Sequence, residues 1–408
     1  MIVSRFLLWA REAAAGDRAE AVTALAQAYL HSDLAPEDLR QARIALIAML
    51  DDPSPLVRRA MALVLAASPD APRPVVVALA DDQPDIAAVV LSRSPVLLDS
   101  DLVDRAALGD ERLQLAIARR PWLSPAVSGA LAEIGTEAAL IALARNDGAE
   151  IAPTSLVRMV ERHGGSGPLR EALLVRPDLP LDITQAIVAA LAATLGGFVT
   201  GRGWLSPERS DRVIREARER TTVELSAGRA PADAMRLARH LRSTSQLTPA
   251  LMLRALLSCA APFAAAAFAE LSGLSERRVA AILRSGPGHA FRALYRRAEL
   301  PALLRPAFEA AVAAAADRPG RGATEGRSGA RLSGRMVERA LAACEALPRE
   351  DAGRVVALLR RFEVEAAREE ARRAAFGLAD EAALALVREH APGALLLAGP
   401  ERDGRLAA

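Results

Sequence analysis

Arg112-Leu-Gln-Leu-Ala-Ile-Ala-Arg-Arg-Pro-Trp-Leu-Ser-Pro125 carries the pattern that decides the fold. An apolar, alanine- and leucine-rich segment suited to a helix runs up to Arg120. Pro121 then stops it, because the residue before a proline disfavours the α region. Ser124 stands where a capping side chain belongs, and Pro125 suits the first turn of the next helix. Helix, stop, cap and second helix follow one another within a single short stretch.

The same grammar recurs on both sides. Ala66-Ala-Ser-Pro69, Ser92-Arg-Ser-Pro95, Ala118-Arg-Arg-Pro121 and Leu174-Val-Arg-Pro177 each close an apolar helix. From Pro69 to Pro95 and from Pro95 to Pro121 the step is 26 residues. The next position falls near Asn146, one residue short, and the following unit is longer. Its insertion is expected around His163-Gly-Gly-Ser-Gly-Pro168. The units close on Asp81-Asp82, Gly109-Asp110 or Gly135-Thr136. A two-helix unit of this size cannot bury its apolar faces alone, whereas stacked neighbours can. The fold class expected is therefore all-α, a HEAT-like α-solenoid (a superhelical repeat array) followed by a second helical module.

Working outward, residues 2–30 read as a helical cap and the array spans about 39–195. Gly196-Gly-Phe-Val-Thr-Gly-Arg-Gly-Trp-Leu-Ser-Pro207 breaks the pattern and reads as a connection. It lacks the Gly-Lys-Ser/Thr of a phosphate loop. Helices resume from Pro207 to Ala316 without a defensible period. Pro319-Gly-Arg-Gly-Ala-Thr-Glu-Gly-Arg-Ser-Gly-Ala330 has the composition of a flexible linker. Three helices are expected after it, over 332–346, 349–376 and 379–390. The divisions are thus 1–195 cap and array, 196–206 connection, 207–317 second module, 318–331 linker, 332–391 C-terminal helices and 392–408 frayed tail.

Composition agrees. Hydrophobic residues make up 51% of the 408, enough for a sizeable core, while aromatics are 3%. Alanine and leucine dominate, which favours helix. Basic and acidic residues nearly balance, 52 against 50. Every basic residue is arginine, so an arginine cluster carries less weight than in a chain that also uses lysine. The most apolar stretch, Leu251 to Leu271, holds Arg254, Pro262 and Glu270 and reads as a buried helix pair, not a membrane span. With no signal-like N-terminus, the cytoplasm is the expected location.

Val57-Arg-Arg-Ala60 and Leu115-Ala-Ile-Ala-Arg-Arg-Pro-Trp-Leu-Ser-Pro125 resemble short helical repeats of the HEAT and leucine-rich-repeat-variant class. Further along stand Leu247-Thr-Pro-Ala-Leu-Met-Leu-Arg-Ala-Leu256, Phe263-Ala-Ala-Ala-Ala-Phe-Ala-Glu-Leu-Ser-Gly-Leu274 and Ala293-Leu-Tyr-Arg-Arg-Ala-Glu-Leu-Pro301. With these the chain resembles, over roughly residues 40–315, an alphaproteobacterial family known only as a domain of unknown function. The resemblance implies a cytoplasmic bacterial protein of helical repeats and supplies no catalytic residues.

Chemistry-bearing motifs are scarce. The histidines, His31, His163, His240, His289 and His390, include no i, i+4 pair and no His-Glu-x-x-His. Cys259 and Cys344 stand alone, which excludes a Cys-x-x-Cys zinc or redox site. Ser258-Cys259 reads as part of an apolar helix, with the thiol acting as a small hydrophobe. Asp51-Asp52 and Asp81-Asp82 fall at turns, where aspartate serves as cap and turn former. No cofactor, metal or catalytic residue is expected, and the chain reads as a non-enzyme.

The candidate binding residues are basic. Arg277, Arg278, Arg284, Arg292 and Arg296, with His289 and Tyr295, crowd one short segment together with Arg297. Such a face suits phosphates or an acidic partner surface. Arg119, Arg120 and Trp122 form a second candidate at an inter-helix corner, where packing of Trp122 into the next repeat is the stronger expectation. Arg209, Arg212, Arg215, Arg218 and Arg220 are interleaved with acids and read as ordinary helix pairing. The function expected is a protein–protein interaction or scaffold module, with another protein as partner, no membrane, and a homodimer possible. One alternative is nucleic-acid or anion binding through 277–297. Another is an enzyme with an unidentified site between the halves.

Overall fold

A computed structural model describes residues 2–108, 110–177, 179–317, 331–345 and 349–390. These form helices, with no strand among the described residues. The chain divides into two compact units, with the boundary between Ile214 and Arg215. The expected linker over 318–331, save its last residue, and the expected tail over 392–408 lie outside the described residues.

The first unit is a run of short helices. They are α1 (Ile2–Ala10), α2 (Ala15–His31), α3 (Pro36–Ala48), α4 (Pro55–Leu65), α5 (Arg73–Ala80), α6 (Pro84–Arg93) and α7 (Asp99–Ala107). Then come α8 (Glu111–Ala118), α9 (Pro125–Ile134), α10 (Glu137–Ala144), α11 (Pro153–His163), α12 (Gly167–Leu174) and α13 (Leu181–Gly201). Proline occupies the first or second position of α3, α4, α5, α6, α9, α11 and α12. Its missing N–H costs nothing there and its fixed φ suits the helix. Asp110, Ser124, Thr136 and Ser166 accept hydrogen bonds from backbone N–H groups of the following first turns. The Ser124-Pro125 start signal is thus realised.

Helices pack on their second neighbours. α2 lies on α4, α4 on α6, α6 on α8, α8 on α10 and α10 on α12. The alternate set follows, with α1 on α3, α3 on α5, α7 on α9, α9 on α11 and α11 on α13. One continuous apolar core runs from Ala19 to Ile187 through both sets. The extra residues of the long unit are not concentrated at His163–Pro168. The loop after α10 runs 145–152 where its counterpart after α8 runs 119–124, and α11 has 11 residues against 10 in α9.

The Gly196–Pro207 segment departs from expectation. Gly196 to Gly201 continue α13, and the chain leaves the helix through Gly203 at φ 68°. Gly196 is there for close approach: a Cβ on it would collide with Ile214 of α14 (Pro207–Ser226). α13 is long and apolar enough to cross a membrane. Its first turns, with Ile183 and Ile187, are buried in the core, and Leu191, Leu195 and Phe198 are exposed.

The second unit holds the rest of α14 and α15 (Pro231–Ser243), α16 (Pro249–Leu257), α17 (Ala261–Ser272), α18 (Glu276–Arg284), α19 (His289–Arg297), α20 (Arg305–Ala316), α21 (Gly334–Glu345) and α22 (Arg349–His390). The expected buried pair is α16 and α17, with every residue of Leu251–Leu257 and of Phe263–Ala269 buried. Phe268 stacks edge-on with Phe308 at 6.0 Å, and Tyr295 with Phe308 at 5.2 Å. α22 is one continuous helix where two were expected, because Gly377 is accommodated inside it.

Candidate functional site

The first candidate, in the second unit, is the α18–α19 hairpin. Val279 on α18 and Phe291, Leu294 and Tyr295 on α19 point into the core. Arg277, Arg278, Arg284, His289, Arg292 and Arg296 are exposed. Arg292 pairs with Glu309 at 3.1 Å, and Arg284 Nε donates to its own helix at the Ala280 carbonyl. Arg297 Nε is turned away to the Ser272 carbonyl at 2.5 Å. Arg277, Arg278 and Arg296 have no carboxylate partner among the described residues. Tyr295 does not belong to this face. It is 1% exposed, its hydroxyl donates to the Pro301 carbonyl at 2.7 Å, and burial pushes its phenol up. Phe291, Leu294 and Tyr295 are all committed to the core, so the segment offers arginine without exposed aromatic rings.

The second candidate, the Arg119–Trp122 corner, lies in the first unit and splits in two. Arg119 is exposed, and Trp122 is 58% exposed rather than packed into the next repeat, with Nε1 3.4 Å from Glu150. Arg120 is used internally. Its guanidinium donates to the carbonyls of Leu91 at 2.6 Å and Ser94 at 2.7 Å, at the end of α6, and burial pushes its pKa down. Carbonyls in the last turn of a helix lack intrahelical partners, and a cation there also meets the negative end of the helix dipole.

This tie recurs at the next two unit boundaries. The Asn146 side chain donates to Ala118 and Arg120 at the end of α8, at 2.9 and 2.7 Å. Arg176 donates to Ala144, Asn146 and Ala149 after α10, at 3.2 to 3.4 Å. Arg162 does the same for the other helix set, reaching Ala132 and Gly135 at the end of α9. Arg120 before Pro121, Arg176 before Pro177 and Asn146 between them therefore cap the preceding unit, whereas Ser68 and Ser94, before Pro69 and Pro95, accept only from their own turns. Backbone joins in where Leu123 N–H donates to Gly148 O and Glu150 N–H to Leu123 O. The turn carboxylates are also ties between helices. Asp52 takes Arg18, Asp82 takes Arg58 and Asp81 takes Arg105. The Arg18 hydrogen bond holds the Asp52 carboxyl below its usual range.

A third site was missed in the sequence, although Arg254 stood in plain view as a charge within an apolar run. Arg254 on α16 is 1% exposed. Nη1 and Nη2 meet Glu365 Oε1 and Oε2 on α22 at 2.7 and 2.9 Å, and the guanidinium lies 4.6 Å from the Phe362 ring centroid. Bidentate pairing and stacking are what arginine, and not lysine, provides. Thr248, the N-cap of α16, donates to buried Glu219 of α14 at 2.9 Å. Burial pushes the Glu219 carboxyl up, against the pull of Thr248, Arg254, Arg215 and Arg218. Arg331–Glu369 and Arg220–Glu224 flank a cavity of about 20 Å³ beside Arg254. A buried charge in an apolar helix demands a partner, and that was the signal available.

The cysteines do not form a site. Cys259 lies just past the end of α16 with φ 58°, not inside the helix, and its Sγ is 3.6 Å from Met336 Sδ. Cys344 is buried, which pushes its thiol up. Among the described residues no three His, Cys, Asp or Glu side chains gather as a metal-binding group.

Residues 86–350, more than half of the chain, match the model of a family described as uncharacterised protein conserved in bacteria, DUF2336. The chain belongs to that family. No protein of curated function and no solved structure matches it. The DUF2336 match starts at the first residues of α6, within the repeat-like first unit, and ends as α22 begins. It therefore includes both the α18–α19 hairpin and Arg254, but not Phe362 or Glu365.

Proposed function

We propose that this DUF2336 protein is a non-enzymatic interaction module of the cytoplasm that docks an acidic protein surface on its α18–α19 arginine hairpin. The observation that carries the reading is the set of exposed arginines with no carboxylate partner among the described residues, Arg277, Arg278 and Arg296, held on two short helices by a packed aromatic core. Arginines such as Arg18, Arg58, Arg120 and Arg254 are committed to internal partners, and exposed ones such as Arg59 and Arg93 stand singly, whereas the hairpin gathers three on one short segment. Arginine clusters recognise acidic motifs by charge-assisted, often bidentate hydrogen bonds. The second-neighbour helix packing of the first unit supports the HEAT-like array reading, with the exposed Arg119–Trp122 corner as a secondary contact. No cofactor or coupled chemistry enters this reading.

An acidic partner is favoured over nucleic acid because the rings beside the arginines, Phe291 and Tyr295, are buried and leave no platform for base stacking. The test compares a fluorescent glutamate-rich helical peptide with single- and double-stranded oligonucleotides as probes. Peptide binding that weakens with salt and is lost in Arg277→Ala/Arg278→Ala/Arg284→Ala/Arg296→Ala supports the proposal. Equal peptide binding by wild type and variant sinks it. Tighter binding of the oligonucleotides, lost in the same variant, transfers the face to nucleic acid.

A further inference from the structure

α22 is seated in the second unit along a single stripe. Val355, Leu359, Phe362 and Ala366 are buried, at helical spacings of four, three and four. Beside the stripe Glu365 meets Arg254, Glu369 meets Arg331 at 3.3 Å and Arg361 meets Glu216 at 2.8 Å. Past this stretch the helix leaves its seat. Residues 371–382 are exposed on every face, with Phe376 at 70% and Leu378 at 67%.

The seat and the docking residues of the helix fall on opposite sides of the end of the family match. Glu216, Arg254 and Arg331 lie inside the family match, which ends at residue 350; every docking residue of α22 lies beyond it. The matched segment thus carries a guanidinium that is almost fully buried and whose bidentate carboxylate comes from outside. Glu219, the acid on the other side, is engaged by Thr248. A buried guanidinium is tenable only with a paired carboxylate. The groove is therefore shaped for a helix that brings an apolar stripe, an aromatic ring to cover Arg254 and an acid one turn later. Helix-in-groove recognition is read from such spaced anchors.

We infer that this groove is a docking site for an amphipathic helix of a partner protein carrying an aromatic residue and a glutamate three positions apart, and that α22 is its resident intramolecular occupant. A partner helix competes with α22, and displacement frees a helix whose residues 371–382 are already exposed. The inference is independent of the arginine hairpin, since none of the residues of that face takes part.

The experiment uses the full chain and, as probe, a fluorescent peptide copying residues 353–372. Wild type should bind it weakly, because α22 is in place. Phe362→Ala/Glu365→Ala, which loosens α22, should bind at least tenfold more tightly. Adding Arg254→Met should remove that gain. A double variant that keeps its helical signal and cooperative unfolding but binds no more tightly than wild type overturns the inference. If the double variant does not fold, hydrogen exchange of wild type decides. α22 amides over 353–369 should open more readily than those of α16, and exchange only through global unfolding overturns displacement. A concentration-dependent dimer formed by the double variant, with α22 exchanged between copies, would assign the groove to a second copy and overturn the partner reading.

Discussion

Arg120 stands 26 residues after Ser94, one repeat step, and its Nη2 donates to the Ser94 carbonyl at 2.7 Å. The sequence period and the bond are one fact. A side chain as long as arginine, placed before a helix-stopping proline as at Arg120 and Arg176, reaches the end of the preceding unit.

Arg120→Ala should therefore be costly. It removes two charge-assisted bonds and leaves helix-end carbonyls of α6 without their donor, an expected loss of about 2 kcal/mol. Arg119→Ala, on an exposed side chain, should stay within about 0.5 kcal/mol. Urea denaturation of both variants provides the comparison, and equal midpoints would show that Arg120 contributes no more than a surface residue.

Gly148 supplies a second test, of backbone rather than side chain. A Cβ there would sit 1.9 Å from the Pro121 carbonyl oxygen, at the point where the two loops exchange backbone hydrogen bonds. Gly148→Ala should lower stability by about 2 kcal/mol, in the range of overpacking. Gly165→Ala, with open space around the site, should be close to neutral. The difference in thermal midpoint between the two variants reads out the steric term.

Glu219 predicts a pH dependence with a definite sign. Burial raises its folded-state pKa above the unfolded value. Its contribution is fully present below the unfolded pKa and is lost as pH rises through the raised folded value. Glu219→Gln removes the charge but keeps an oxygen for Thr248. It should thus be more stable than wild type at pH 8 and show little advantage at pH 4. Asp52 runs the other way, since its lowered pKa contributes stability above the unfolded value that is lost as pH falls through the folded one. Asp52→Asn should be destabilising at pH 7 and gain on wild type as the medium is acidified. Denaturation curves for both variants across this range give the answer, and parallel profiles for the two would contradict the assignment.

Arg254 and Glu365 should behave as a unit. Glu365→Leu alone leaves a buried guanidinium without its carboxylate, an expected cost of about 3 kcal/mol. Arg254→Met together with Glu365→Leu replaces both charges by apolar side chains and should recover most of the loss. A double-mutant cycle measures this coupling; additive losses would mean that the pair contributes nothing as a pair.

The helical class and the repeat step were legible in the sequence because both rest on local rules: proline stops, capping side chains and apolar runs. What was hidden depends on meetings at long range. Gly196 to Gly201 look like a linker until Ile214 is seen to need a neighbour without a side chain. Tyr295 looks like one of a basic surface group until the helix is turned so that Phe291, Leu294 and Tyr295 share its inner side. Arg120 and Arg176 look like compositional habit in a chain whose only basic residue is arginine; their targets are carbonyls, which leave no mark in the sequence. Arg254 was visible as an anomaly, but its partner lies 111 positions away and could not be named.

The ties made by Arg120, Asn146 and Arg176 each cross a single boundary between units and reach no farther. Cohesion in the first unit is thus assembled seam by seam. Duplicating or deleting a whole unit would hand each donor a new set of carbonyls in the old geometry, whereas adding a few residues in the middle of a unit would strand donor and acceptor together. Ties of this kind let the first unit change length in whole steps, which gives a lineage a way to resize it without redesigning what holds it together.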